Sequence, residues 1–212
     1  MSARVRSVNV GRVVGVPWGT LRSSAIDKRP TAGPVTVRRL GLGGDEIGDL
    51  VHHGGADQAV YAYAREDLDD WQDELGRPLH DGVFGENLTT AGLDVQNSRI
   101  GDRWRIGTAL LEVCDVRIPC SVFQGFLDER HWVRRFTEKG VPGAYLRVVE
   151  EGELGSGDEI RVVERRDHDV TVALTFRALT TERSWVPRLA GEPRASAKIL
   201  ARLDALRNDP AG

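Results

Sequence analysis

The stretch Arg117-Ile118-Pro119-Cys120 holds the residue types whose order most readily does chemistry. Proline directly before cysteine restricts the backbone and turns the chain where a strand should end. A cysteine in a turn, three residues after an arginine, can be presented as a thiolate, because nearby positive charge lowers a thiol's pKa. The thiolate is also the form that ligates soft metals. Cys114 differs in kind. It sits inside the apolar run 109–116 and reads as a small buried hydrophobe. Two cysteines at this spacing fit neither a disulfide scaffold nor a structural zinc site.

Two other clusters could line a site. Gly41, Gly43 and Gly44 lack the spacing of either phosphate-loop motif and read as turn positions needing positive φ. His52 and His53 are adjacent, so their side chains point apart and cannot share one metal as a helical i, i+4 pair can. They are either a turn with one satisfied histidine or part of a site-lining loop. In the second case Gly54 and Gly55 would let the backbone approach a bound anion. No Ser-His-Asp, H-E-x-x-H or paired-carboxylate pattern stands out, and no flavin, haem or iron–sulfur motif is present.

The elements that must position these residues follow from composition and pattern. At 212 residues, with 40% apolar and 29% charged side chains, the chain can bury a full core. A net charge of −3 leaves no footprint for nucleic acid or an anionic membrane. No stretch approaches 18 apolar residues and the start carries no signal-length apolar region, so a cytoplasmic protein is expected. Valine-rich and alternating segments at 4–16, 35–40, 59–64, 83–90, 101–116, 144–149 and 159–163 predict strands joined by glycine turns. Both faces of 109–116 are apolar, which predicts a strand with little solvent on either side. Leu68, Trp71 and Leu75 predict a short helix over 65–75 stopped by Gly76, and Trp132, Val133 and Phe136 a second over about 126–139. Many short strands with few helices favour a closed or nearly closed barrel through residue 165. The charged stretch 164–169 reads as a boundary. Beyond it, Ser184 could cap a short helix before Gly191, and Ile199, Leu203 and Leu206 predict a helix over 194–207, whereas 170–179 alternates as a strand would.

Taken together, GLGGDEIGDLVHHGGADQAVYAYAREDLDDW (41–71), FGENLTTAGL (84–93), IGDRWRIGTALLEVCDVRIPC (100–120) and GAYLRVVEEGELGSGDEI (143–160) resemble the MOSC family in order and spacing, specifically its stand-alone YiiM-like branch. The resemblance implies a mainly β fold: a MOSC-type β-barrel with short helices over 1–165, then a small three-helix α-helical domain over 166–212. It therefore implies helix at 170–179. It also implies a pterin-bound molybdenum cofactor, with Cys120 as the protein's ligand to the metal and Arg117 beside it. His52, His53, Gly54 and Gly55 match the family's H-G-G loop, and Asn87 and Arg147 match positions expected to line the cofactor pocket. Asp45 matches the acid of a G-x-x-G-D turn, as pocket residue or as turn former. Arg38 and Arg39 are candidate phosphate contacts or ordinary exterior arginines. The chain departs from the family at Gln58, where lysine is frequent, and at Ser121-Val122, where Trp-Lys is frequent.

The activity so implied is reduction of a small N-hydroxylated base or amine to the parent amine, with electrons from a partner reductase. The rival is a sulfur-carrier or cofactor-binding role with a persulfide on Cys120. Pyridoxal phosphate is not expected, since none of Lys28, Lys139 and Lys198 falls in a matching segment to form a Schiff base. Oligomeric state is left open.

Overall fold

The computed structural model describes residues 2–18, 22–48 and 54–208. Its first half runs β1 (Arg4–Val10), β2 (Val14–Gly15), β3 (Ser23–Ser24), β4 (Arg29–Pro30), β5 (Val35–Arg38) and β6 (Gly41–Leu42). A 3-10 turn at Ala56–Gln58 leads into β7 (Val60–Ala64), α1 (Arg65–Leu75) and β8 (Leu88–Ala91). Then come β9 (Arg103–Ile106), β10 (Ala109–Val116), α2 (Ser121–Leu127) and α3 (Trp132–Lys139). The chain continues with β11 (Ala144–Glu150), β12 (Gly152–Leu154), β13 (Ile160–Glu164), α4 (Val172–Leu179), a 3-10 segment at Arg183–Gly191 and α5 (Ala197–Asn208).

Eight strands form one sheet in the order β13-β9-β10-β11-β7-β8-β1-β4, all pairs antiparallel except β7–β8. β12, β5 and β6 form a second, small sheet. Of the closed or nearly closed barrel expected, no closed barrel is found: the large sheet does not seal. Its ends meet through one isolated bridge, Arg4 to Glu159, and three backbone hydrogen bonds. These are Val5 N–H to the Asp158 carbonyl, Gly157 N–H to Val5 and Ile160 N–H to Ala3. A strand ladder needs a run of paired residues, and here β4 takes over the same edge of β1 from Asn9 onward.

β10 is buried at all eight residues, as its two apolar faces predict. The helix predicted over 126–139 is two helices, because Asp128 and His131 adopt positive φ and break the ladder between them. The core gathers Trp71, Phe84, Phe123, Trp132 and Phe136, with Trp71 and Trp132 centroids 4.5 Å apart. Phe136 meets Phe176 of α4 edge-on at 6.2 Å, so the same core continues past residue 165. Thr171 caps α4 by accepting the Leu174 N–H at 3.1 Å, and six of its eight residues are buried. An apolar surface nearly all round the helix explains why 170–179 also alternates as a strand would. Backbone bonds from Val172 to Ser98 and Ala173 to Gln96 pin the helical segment to the loop before β9, and one from Ser196 to Cys114 pins it to β10. It comprises two α-helices and a 3-10 segment that share this core. No helix among the described residues is long and apolar enough to cross a membrane.

Candidate functional site

Where the ends of β10 and β7 meet the loops 23–28, 40–48 and 85–87, they enclose a cleft of about 840 Å³ including its open mouth. Pro119 turns the chain after β10, so Cys120 takes an extended conformation (φ −134°, ψ 172°) at the start of α2. Its carbonyl accepts the Gln124 N–H at 3.1 Å, while its free, half-buried thiol belongs to the cleft wall.

Arg117 lies just past β10 in the same wall and is buried. Its guanidinium carbon is 4.4 Å from the Phe123 ring centroid and 5.1 Å from that of Tyr61, faces that favour a cation. Its Nε has no hydrogen-bond partner, and among the described residues no carboxylate pairs with it. The Tyr145 hydroxyl faces the guanidinium, and a buried charge with so few acceptors is costly unless a ligand supplies another. Burial pushes the Tyr61 and Tyr145 phenols above their ordinary range, so both are protonated at neutral pH. Tyr61 spends its proton on the Pro142 carbonyl at 2.6 Å.

A second cation, Lys28, enters the cleft from the loop before β4 and pairs with Asp45. Asp45 also accepts the Gly11 N–H and the Asn87 amide, each at 2.8 Å. Burial pulls the Lys28 pKa down, and the Asp45 carboxylate opposes it. Asn87 accepts the Tyr61 N–H at 3.1 Å and donates to the Asn9 carbonyl at 3.3 Å, joining β1, β7 and the Asp45 turn beneath the cleft. Glu86 holds the turn that delivers Asn87. Its carboxyl accepts Gly82 N–H at 2.6 Å, Phe84 N–H at 2.9 Å and the Thr89 hydroxyl at 2.9 Å. Between them Gly85 has φ +74°, and a Cβ there would stand 3.1 Å from Ile26 and 3.4 Å from an Arg117 nitrogen.

The model of the MOSC domain family matches residues 49–161, more than half of the chain. The chain is a MOSC-domain protein. It is 35% identical to "Uncharacterized protein YflK" of Bacillus subtilis over 82% of this chain and 79% of that one. It is 34% identical over 74% of its length to a protein of Gibberella moniliformis named "Reductase", of which the match spans 29%. The crystal structure of YiiM from Geobacillus stearothermophilus superposes with a TM-score of 0.81 at 29% identity, covering 96% of this chain and 98% of that one. The fold is therefore YiiM-like.

Of the residues expected to form the MOSC site, the cleft brings together Cys120, Arg117, Asn87, Asp45 and Gly54. Gly55, at φ +85°, starts the 3-10 turn behind them. His52 and His53 lie outside the described residues. Arg147 does not join the cleft wall. It pairs with Asp57 at 3.0 Å and Glu112 at 3.5 Å and donates to the Ala195 carbonyl at 3.3 Å, fastening the C-terminal segment to β11. Arg38 and Arg39 are exterior, both bonded to Glu151. Cys114 is fully buried, donates to the Asp57 carbonyl at 3.1 Å, and is pushed up to about 12 by burial.

Lys28, Tyr61 and Tyr145 are cleft residues that sequence reasoning missed, and Gln58, noted there only as a departure from the family, joins them. Lys28 carried one signal: it is one of three lysines in a chain otherwise furnished with arginine. Among the described residues no three of His, Cys, Asp and Glu come together to hold a metal. A soft metal in this cleft would find a ligand in the Cys120 thiolate. An anionic pterin cofactor fits the donor set: a half-buried thiol, a buried guanidinium with an unpaired Nε, and a second cation.

Proposed function

We propose that this MOSC protein binds a molybdenum–pterin cofactor through Cys120 and reduces small N-hydroxylated bases or amines. The observation that carries the reading is the pairing, in one cleft, of the free Cys120 thiol with the buried Arg117, to which no carboxylate among the described residues is paired. Cys120 would be the protein's ligand, and Arg117 and Lys28 would receive the anionic parts of cofactor or substrate. When bound, the cofactor supplies a two-electron redox centre and a Lewis acid for the substrate's oxygen. The balance is R–NH–OH plus two electrons and two protons giving R–NH2 and water. The electrons are assigned to a separate reductase, and the name of the Gibberella relative, a longer protein, accords with such chemistry.

The chain's own contribution is to bind and orient. Arg117 lies between the Tyr61 and Phe123 rings, which hold its guanidinium in one place. Asn87 fixes Asp45, and Asp45 fixes Lys28. The test is metal and pterin content after expression in a host that makes the cofactor, with Cys120→Ser and Cys114→Ser in parallel. Wild type and Cys114→Ser should carry stoichiometric molybdenum and convert an amidoxime to its amidine and water on reduction by a low-potential dye. Cys120→Ser should do neither. Protein from that host without molybdenum but with a sulfane sulfur on Cys120 would favour the carrier role instead.

A further inference from the structure

The reduction proposed above consumes two protons per substrate, so the cleft needs an acid beside the oxygen that leaves. Few described side chains of the cleft wall titrate. Arg117 keeps its proton at any ordinary pH, and Cys120 is the thiolate ligand in that reading. Asp45 is committed to Lys28, the Gly11 N–H and the Asn87 amide, which ties up Lys28 as well. Glu46 accepts the Val13 N–H at 2.7 Å and pairs with Arg12 at 3.3 Å. Two phenols remain.

They differ in what their protons do. Of the chain's three tyrosines, Tyr61 and Tyr63 are buried and donate to the Pro142 and Val141 carbonyls at 2.6 and 2.9 Å. Tyr145 is half-buried, and among the described residues no acceptor takes its hydroxyl proton. The sheet fixes where this phenol stands. Tyr145 pairs across the ladders with Asp115 of β10 on one side and Tyr61 of β7 on the other, its ring 5.0 Å from that of Tyr61. Its oxygen faces the Arg117 guanidinium. Burial raises the phenol above its ordinary range and Arg117 opposes the rise, while Asp115 and Cys120, when charged, add to it. The proton is therefore held at rest, and a fixed cation faces the phenolate that its departure leaves.

A second cavity, of about 680 Å³ with its opening to solvent, lies between the end of β10 and the C-terminal helices. Tyr145 lines both this cavity and the cleft, so it stands in the partition between them. A substrate filling the cleft leaves the other side open to water.

We propose that Tyr145 donates the proton to the oxygen that leaves the substrate nitrogen, an inference that rests on the reduction proposed above. As the N–O bond of R–NH–OH breaks, the oxygen takes the Tyr145 proton and departs as water. Two electrons from the reductase and one proton from solvent complete R–NH2. The phenolate, facing Arg117, regains its proton from water in the second cavity.

Tyr145→Phe in the molybdenum-loaded protein tests this, because phenylalanine keeps the ring and removes only the hydroxyl. Molybdenum content and KM for benzamidoxime should stay within twofold of wild type, while kcat falls at least a hundredfold, as on loss of a general acid. A second readout needs no turnover. N-acetylimidazole should acetylate Tyr145 in the folded, cofactor-free chain, located by peptide mass, and reach Tyr61 and Tyr63 only on unfolding. A smaller fall in kcat in the folded variant overturns the proposal. Loss of molybdenum overturns it too, making Tyr145 a residue that holds the cofactor. So does native-state acetylation of Tyr61 in place of Tyr145. Loaded wild type that reduces no N-hydroxylated compound overturns the reduction itself, whereas active wild type beside an undiminished variant overturns this role alone.

Discussion

Glu86→Gln probes the turn that carries Gly85 and Asn87 to the cleft. Glu86 is fully buried, and burial pushes its carboxyl from an ordinary 4.5 to about 7, against the pull of its hydrogen bonds. A rise of that size corresponds to about 3 kcal/mol between the two protonation states. The sign follows from proton binding: between pH 4.5 and 7 the folded chain keeps a proton on Glu86 that the unfolded chain has released. This group's contribution is therefore fully present below the unfolded value and declines as pH rises through the folded one. Glutamine cannot titrate. It also sets an amide N–H2 against a backbone N–H, because Gly82 and Phe84 donate to different carboxyl oxygens. Each donor orphaned in this way costs about 1–3 kcal/mol. Urea unfolding of both proteins at steps from pH 4.5 to 7.5 isolates the effect, since all other groups cancel in the difference. The stability advantage of wild type over Glu86→Gln should shrink by about 3 kcal/mol across that range. An advantage that stays constant or grows with pH would falsify the argument, showing that the N–H donors, not burial, govern this carboxyl.

Three further outcomes follow from the packing. A thiol reagent at pH 8 should modify Cys120 rapidly and Cys114 only on unfolding, because Cys114 is buried and its thiol is held protonated; equal rates in the native protein would contradict this. Lys28→Met should cost roughly 3 kcal/mol, the usual loss on stripping one partner from a buried pair, read by denaturant midpoint, with Lys28→Met/Asp45→Asn recovering part of it. Truncation before residue 168 should yield insoluble or molten protein rather than a folded sheet, since it uncovers the surface on which Val172, Phe176 and Ile199 pack; a soluble fragment with sharp thermal unfolding would show that the tail is dispensable.

The site was legible where chemistry is written in neighbouring residues. Arg-x-Pro-Cys puts its own turn and its own cation beside the thiol, and Cys120 and Arg117 indeed share one wall. Asn87 and Gly54 were legible through the resemblance. Lys28 and the two tyrosines were not, because tertiary placement alone gives them meaning. In 59–64, Tyr61 and Tyr63 occupy one face by alternation, yet both faces of β7 are buried and only Tyr61 meets the cleft. Arg147 shows the converse. The resemblance alone pointed to it as a pocket residue, and here it pairs with Asp57 and Glu112. Strand positions were largely readable from alternation and glycine turns. Sheet closure was not, since it depends on how residues 3–5 meet residues 157–160, a pairing that no local period encodes.

That meeting has a consequence for how the protein is made. β1 leaves the ribosome before its partners: β8 and the 157–160 segment come roughly 80 and 150 residues later. At the usual pace of translation the strand waits on the order of ten seconds with Val5 and Val8 uncovered and its edges unpaired. β9 and β10, joined by a two-residue turn, and β11, which follows after α2 and α3, can assemble during that interval and offer a ready scaffold. β1, made well before its partners, is thus among the last strands to find its place.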